Sequence, residues 1–239
     1  MKIAIIGAGT MGQGIAQVCA QAGLETVLFD INAAAAEQAH RATRQTWTTL
    51  NQRGKLTPEA KAHAEAHLTV TTNFADLVAD VLLEAVVERL DVKQELFRQL
   101  AAQNAPDAVL ASNTSSIPIT RIAAGVPNPE RVVGLHFFNP APVMKLVEII
   151  AGAATAPGVV AQMVALAEAL GKVPARVRDA PGFIVNRVAR PYYTENLRLL
   201  EEGVASHQTL DELLEATGFR MGAFRLMDLI GVDTNFSVT

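Results

Sequence analysis

The 239-residue sequence is poor in cysteine, in aromatic residues and in long apolar runs. Its one cysteine, Cys19, excludes an internal disulfide framework, so we expect a reducing, cytoplasmic compartment. We expect Cys19, which lies within a helical pattern, to be a small buried hydrophobic residue. No apolar run approaches about 18 residues, so we expect no membrane span. Lys2 leads directly into a strand, and we expect no signal peptide.

The sequence also lacks a positive charge balance. Its formal net charge of −4 excludes a globally basic nucleic-acid binder, although a local patch could still hold an anionic ligand. Half of the residues are apolar and 18% are charged, which favours a compact globular protein over a disordered one.

A glycine-rich turn follows the apolar run at residues 3–6, and its sequence is Gly7-Ala8-Gly9-Thr10-Met11-Gly12. Gly7 permits a tight turn out of the strand, Gly9 lets a pyrophosphate approach the backbone, and Gly12 lets the next helix pack closely. The amides and the dipole at the start of that helix favour phosphate. The pattern predicts a Rossmann-type dinucleotide site; a plain turn is the alternative.

An acidic residue, Asp30, ends the next apolar run at residues 27–29. It stands where a carboxylate bonds the adenosine ribose hydroxyls, and its charge would repel a 2′-phosphate. No Lys or Arg follows before Arg41. The sequence therefore predicts NAD, not NADP, as the cofactor.

Strand and helix patterns alternate through the first three quarters of the chain, which predicts a parallel sheet covered on both faces. Within it, residues 33–66 form a predicted helical hairpin that is broken at Gly54 and restarts at Thr57. A strand is predicted at residues 81–87. Beyond Pro181 the pattern is helical, and its first helix is predicted at residues 183–202. We therefore predict an α/β protein, with a Rossmann-type doubly wound domain at 1–180 and an all-α C-terminal domain at 181–239.

A histidine and a glutamate are embedded in two neighbouring apolar strands. His136 lies in the run 132–138 and Glu148 in the run 145–150, and a proline-rich connection separates them. If the strands pair antiparallel, the two side chains meet on one face. Such a pair beside a nicotinamide removes a hydroxyl proton during hydride transfer. A structural ion pair is an equally good interpretation, because a buried carboxylate needs a partner in either case.

Three further features have both a functional and a structural interpretation. Residues 112–116 follow a strand where ligands bind in parallel sheets, or they form a capped turn. Asn186 holds a substrate carbonyl, or it bonds local backbone. The hairpin cations bind a phosphate-rich ligand, or they form an ordinary solvated face; they are Arg41, Arg44, Arg53, Lys55 and Lys61.

Four tracts of this sequence resemble the signatures of the 3-hydroxyacyl-CoA dehydrogenases. They are Ser112–Ser116, Gly134–Pro140, Pro142–Glu148 and Pro181–Arg187, and the likeness covers nearly the whole chain. Residues 186–193 and 228–231 look most like the phenylacetate-degradation branch.

The resemblance implies oxidation of an (S)-3-hydroxyacyl-CoA to the 3-oxoacyl-CoA with NAD. Hydroxybutyryl and hydroxyadipyl thioesters both fit, and Arg190, Arg220 and Arg225 are candidates to meet a distal carboxylate. The roles implied for single residues are general base for His136, orienting acid for Glu148, contact with substrate and nicotinamide for Ser115, and substrate binding for Asn186. Cofactor contacts are implied for Glu88, Lys93 and Asn139, and CoA contacts for Thr46, Arg53 and Lys55. No metal is implied.

The sequence departs from this family at its C-terminal end. Members of the short type run further, and the segment 218–225 has Ala223 and Arg225 where proline and glutamate are expected. We expect either a fragment or a chain that completes its core with a partner, as a homodimer through the C-terminal domain. Two other functions stay open: a non-catalytic NAD-binding homologue, and an NAD dehydrogenase of a free hydroxy acid.

Overall fold

The computed structural model describes residues 1–237, with the backbone alone at Thr234 and Ser237. The chain separates into two compact units, residues 1–179 and the residues from 180 onward. The first unit is a sheet flanked by helices, and the second is helical where it is described. This architecture confirms the predicted Rossmann-type sheet with an all-α C-terminal domain. Residues 238–239 of the predicted domain lie outside the described residues.

The first unit alternates strands and helices along the chain. Its strands are β1 (Lys2–Ile6), β2 (Glu25–Phe29), β3 (Leu68–Thr71), β4 (Val81–Glu84), β5 (Val109–Ser112), β6 (Val132–Phe137), β7 (Leu146–Ala151) and β8 (Val173–Arg178). Its helices are α1 (Thr10–Gln21), α2 (Ala33–Gln52), α3 (Pro58–Ala66), α4 (Leu90–Gln103), α5 (Ile119–Ala123) and α6 (Pro157–Ala169).

The sheet has the strand order β3-β2-β1-β4-β5-β6-β7-β8. The pairs from β3 to β6 are parallel, β7 runs antiparallel to β6, and β8 runs parallel to β7. The order reverses between β1 and β4, which is where ligands bind in doubly wound sheets. Their residues Ile5 and Leu83 are fully buried, because helices cover both faces of the sheet.

Two predicted boundaries were wrong. The strand predicted at 81–87 ends at Glu84, because the chain leaves the sheet after the Ala85 amide bonds Ile6, and Val87 is exposed. The helix predicted from residue 183 begins at Val185. Phe183 has a positive φ of 49°, a left-handed conformation that a right-handed helix cannot include.

One short helix, α5, was not predicted. The Asp179 carboxylate accepts the amides of Ile119 at 2.9 Å and Thr120 at 2.8 Å, which caps the start of α5. Because this cap comes from 60 residues away in the chain, local sequence gave no sign of it.

The predicted helical hairpin is formed by α2 and α3. Asn32 caps α2 through the Ala34 amide at 3.0 Å, and Thr57 caps α3 through the Ala60 amide at 3.2 Å, with Pro58 at the first helical position. Trp47 is fully buried against the sheet unit's core, so the hairpin is packed onto that unit.

The C-terminal unit contains α7 (Val185–Glu201), α8 (His207–Ala216), α9 (Ala223–Ile230) and α10 (Val232–Ser237). The buried Asp211 of α8 caps α9 by accepting the amides of Phe224 and Arg225. Arg225 also bonds Glu215 at 2.7 Å, so α8 and α9 are joined by charge as well as packing. Among the described residues, no helix is long and apolar enough to cross a membrane.

Candidate functional site

The glycine turn connects β1 to α1 at the switch point of the sheet. Gly7 has a φ of +106°, and a Cβ there would lie 2.5 Å from the Ala85 carbonyl oxygen. A Cβ on Gly12 would lie 1.8 Å from the Gly7 carbonyl oxygen, whereas one on Gly9 would meet nothing within 4 Å. Gly7 and Gly12 are therefore required by the protein's own packing. Gly9 faces open space at the start of α1, as a pyrophosphate site requires.

Asp30 lies at the end of β2, beside this turn. Its carboxylate accepts the amides of Ala8 at 2.8 Å and Asn32 at 2.9 Å. Asp30 therefore holds the glycine turn and orients the start of α2. Its predicted contact with the ribose hydroxyls stays a prediction.

A buried charge cluster, not predicted from sequence, joins β4, β5 and α4. The Lys93 ammonium, 1% exposed, lies 2.5 Å from Glu84 and 3.0 Å from Glu88. Glu84 is fully buried and also accepts the Ser112 hydroxyl at 2.6 Å and the Val86 amide at 2.7 Å. The only sequence signal was an acidic residue that closes the apolar run 81–83.

The loop 113–117 is held by Glu88. One carboxylate oxygen of Glu88 accepts the Ser115 amide at 3.2 Å, the Ser116 amide at 3.3 Å and the hydroxyls of Thr114 and Ser116. Burial raises the pKa of Glu88, but the Lys93 charge and these hydrogen bonds outweigh burial and lower it overall. Glu88 is therefore a carboxylate that fixes the loop.

A second bond ties the same loop to β6. The Asn113 side-chain oxygen accepts the Phe137 amide at 2.8 Å. Ser115 and His136 are thereby brought together, with Ser115 Oγ 3.2 Å from His136 Nε2.

The strands β6 and β7 pair antiparallel, so His136 and Glu148 meet on one face. They lie opposite each other in the β6–β7 register, and His136 Nδ1 is 2.8 Å from Glu148 Oε2. Both are buried, with 4% and 1% of their surface exposed. The ring of Phe138 lies 4.6 Å from the imidazole ring, centre to centre. Glu148 thus orients the imidazole and directs Nε2 toward the Ser115 hydroxyl.

The connection between β6 and β7 carries Asn139, which is exposed. Lys172, 8% exposed, donates to the carbonyl oxygens of Ala141 at 2.6 Å and Met144 at 2.9 Å and so fastens this connection. Burial lowers the pKa of Lys172 and raises that of Cys19 to about 12. Cys19 is thus the inert buried residue that we expected.

The structure divides the basic residues of the hairpin into two groups. Arg41 pairs with Glu37, while Arg44 and Lys61 both pair with Glu65. Arg53 and Lys55 are exposed at the tip between α2 and α3. Thr46 is exposed on α2, where its hydroxyl bonds the Ala42 carbonyl. The tip is therefore the part of the hairpin whose cations are not committed to carboxylates.

The C-terminal unit carries the other predicted site residues. Asn186 lies in the first turn of α7. Of the three candidate arginines, Arg190 bonds Asn235 and Arg225 bonds Glu215, whereas Arg220 is exposed. No cluster of three or more potential metal-ligating side chains is found among the described residues.

The sheet order, the glycine turn and the residues around it define a dinucleotide-binding α/β protein. Residues 2–180 match the family model for the 3-hydroxyacyl-CoA dehydrogenase NAD binding domain, and residues 182–239 match that for the C-terminal domain. The chain therefore belongs to the 3-hydroxyacyl-CoA dehydrogenase family. The match confirms the resemblance and the predicted cofactor, NAD.

Relatives include the 3-hydroxyadipyl-CoA dehydrogenase of Escherichia coli (strain K12), 51% identical over 99% of this chain and 50% of that protein. A crystal structure of 3-hydroxybutyryl-CoA dehydrogenase from E. coli K12 matches with a TM-score of 0.98 at 50% identity, over 100% of this chain and 51% of the other. That of (S)-3-hydroxybutyryl-CoA dehydrogenase from Ralstonia eutropha matches with a TM-score of 0.96 at 40% identity, over 99% and 84%. The chain thus spans about half the length of its E. coli relatives.

Proposed function

We propose that the protein oxidises an (S)-3-hydroxyacyl-CoA to the 3-oxoacyl-CoA, with His136 as general base. The observation that carries the proposal is the His136–Glu148 pair with Ser115 at the other ring nitrogen. A bound NAD supplies the hydride acceptor, and the open space at Gly9 fits its pyrophosphate. Cofactor contacts for Asp30, Glu88, Lys93 and Asn139 are part of the proposal.

The chemistry of the pair follows from its geometry. Glu148 accepts a hydrogen bond from the Nδ1–H of His136, which leaves Nε2 as the basic nitrogen. Nε2 takes the proton of the substrate hydroxyl while C3 loses a hydride, so the alcohol becomes a ketone and the imidazole becomes an imidazolium. The carboxylate then stabilises that cation.

We assign substrate binding to three parts of the chain. Ser115 bonds the substrate oxygen beside His136 Nε2, and Asn186 of the C-terminal unit binds a substrate carbonyl. The hairpin tip, with Arg53, Lys55 and Thr46 near it, holds the nucleotide of CoA, since guanidinium and ammonium groups bind phosphate.

The acyl group is proposed from the relatives and from Arg220. The E. coli relative is described as acting on 3-hydroxyadipyl-CoA, whose acyl chain ends in a carboxylate. Of the candidate arginines, only Arg220 has no partner among the residues that the structure describes, so it is our candidate for that carboxylate. A comparison of the oxidation rates of 3-hydroxyadipyl-CoA and of 3-hydroxybutyryl-CoA, which lacks the carboxylate, tests this assignment of Arg220. We also propose cytoplasmic phenylacetate catabolism as the setting.

We further propose that the protein self-associates through its C-terminal unit. Large apolar side chains are exposed on that unit, and among them Leu213, Leu229 and Phe236 are 60%, 71% and 81% exposed. Apolar faces of this kind are interaction surfaces in folded proteins.

The experiment that tests the function uses the full-length protein with NAD and a panel of 3-hydroxyacyl-CoA thioesters. We expect NADH formation, and we expect CoA to raise the unfolding temperature, since binding to the native state stabilises it. NADH formation from free hydroxy acids, without protection by CoA, would favour a free-acid dehydrogenase. Absence of NADH formation with every substrate would favour a non-catalytic NAD-binding homologue.

A further inference from the structure

The Glu84–Lys93 pair is the most deeply buried pair of opposite charges in the described part of the chain. Two buried ions stay charged only if hydrogen bonds and opposite charge replace the lost water. Glu84 meets this condition through the Ser112 hydroxyl, the Val86 amide and Lys93. Lys93 meets it by lying between two carboxylates.

The cluster reaches the Ser115 loop by two routes. Through Lys93 it contacts Glu88, which accepts the loop amides of Ser115 and Ser116. Through Glu84 it contacts Ser112, whose hydroxyl accepts the Thr114 amide at 3.2 Å. The loop that holds Ser115 next to His136 is therefore connected to the buried charges of Lys93 and Glu84.

We propose that Lys93 is a positioning residue whose charge acts through Glu88 to hold the Ser115 loop against His136. The proposal rests on the proposed function for its consequence in catalysis. Its structural content, the hold on the loop, does not depend on that function.

The charge of Lys93 is what the proposal requires. A carboxylate accepts amide donors strongly only when ionised, and burial favours the protonated form. Charged or titratable groups around Glu88 are Lys93, Glu84 behind it, and His136 beyond Ser115; Arg89 and Asp91 on the same segment pair with each other in solvent. Lys93 is the cation that contacts Glu88, so its removal raises the pKa of that carboxyl group.

The variant Lys93→Met removes the cation but leaves Glu84 buried without a partner, which can prevent folding. The double variant Glu84→Gln/Lys93→Met removes both charges and keeps the side-chain volume. Glu84→Gln alone is the matched control, because it removes the same buried carboxylate and keeps the cation next to Glu88. Glu95→Gln, an exposed change on α4, controls for differences between protein preparations.

The readout is hydrogen–deuterium exchange of the segment 113–117, corrected for intrinsic rates, at mildly acidic and mildly alkaline pH. We expect the double variant to exchange several-fold faster than wild type at the acidic pH and at the wild-type rate at the alkaline pH, because loss of the Lys93 charge raises the pKa of Glu88. Wild type and both controls should show the same protection at both pH values.

Two results would overturn the proposal. Wild-type protection in the double variant at both pH values would show that Lys93 does not hold the loop. Equal loss of protection at both pH values would show that Lys93 fills space and that its charge is unimportant. If the loop behaves as expected while no hydroxyacyl-CoA is oxidised, the proposed function fails and this inference stands.

Discussion

Glu148 contacts the ring nitrogen of His136 that points away from Ser115. The carboxylate lies 2.8 Å from Nδ1, and the serine hydroxyl lies 3.2 Å from Nε2. The carboxylate therefore holds the imidazole at Nδ1, and Ser115 lies at Nε2, which is the arrangement that the proposed general base requires.

Glu148→Gln tests this orientation. Glutamine keeps the shape but cannot stabilise the imidazolium formed in the reaction, so we expect kcat to fall by at least about tenfold while the KM for NAD stays unchanged. Steady-state NADH formation measures both constants. Glu168→Gln, an exposed change on α6, should retain wild-type activity. Full activity in Glu148→Gln would refute the orienting role.

The glycine turn allows stability to be separated from cofactor affinity. We expect Gly9→Ala to fold with wild-type stability and to bind NAD weakly, because the added methyl meets nothing in the protein but enters the space proposed for pyrophosphate. Gly12→Ala should lose about 1–3 kcal/mol of stability or more, since its methyl overlaps the Gly7 carbonyl. Calorimetric titration with NAD and denaturant unfolding check the two results. Unchanged NAD affinity in Gly9→Ala would place the pyrophosphate elsewhere.

The ionisation of Glu88 should make the free energy of unfolding depend on pH. Its folded-state pKa is lowered, so its contribution is complete above the pKa of the unfolded chain and disappears as pH falls through the folded-state pKa. We therefore expect Glu88→Gln to be less stable than wild type at neutral pH and equal to it in acid. Urea unfolding across this pH range measures the difference. A stability gap that persists in acid would assign the effect to packing.

The hairpin tip should affect the acyl-CoA substrate and not NAD. Since Arg53 and Lys55 are exposed and Arg44 is paired with Glu65, we expect Arg53→Ala and Lys55→Ala to raise the KM for acyl-CoA severalfold. Arg44→Ala is the matched control from the same hairpin and should change this KM little. An equal rise in all three variants would indicate a diffuse electrostatic effect and no specific site.

The features that local sequence determines were predicted well. The glycine turn and the restart of the helical hairpin at Thr57 both follow from a few adjacent residues. We expected His136 and Glu148 to meet only if their strands pair antiparallel, and the register of β6 and β7 meets that condition.

The features that depend on distant partners were not predicted. The Glu84 side chain, at the end of β4, bonds Lys93 of α4 and Ser112 of β5. From sequence, the cations of the hairpin were treated as one group. In the structure, Arg44 and Lys61 both pair with Glu65. Helix α5 depends on Asp179. In each case the deciding partner is a charged group whose position only the fold defines.

The most direct measurement uses (S)-3-hydroxybutyryl-CoA and 3-hydroxyadipyl-CoA labelled with deuterium at C3, with the full-length protein and NAD. The proposed function predicts that the label appears in NADH and that His136→Gln lowers the rate of transfer by about 10²- to 10⁴-fold while NAD still binds. Unlabelled NADH, or label transfer by His136→Gln at the wild-type rate, would contradict it.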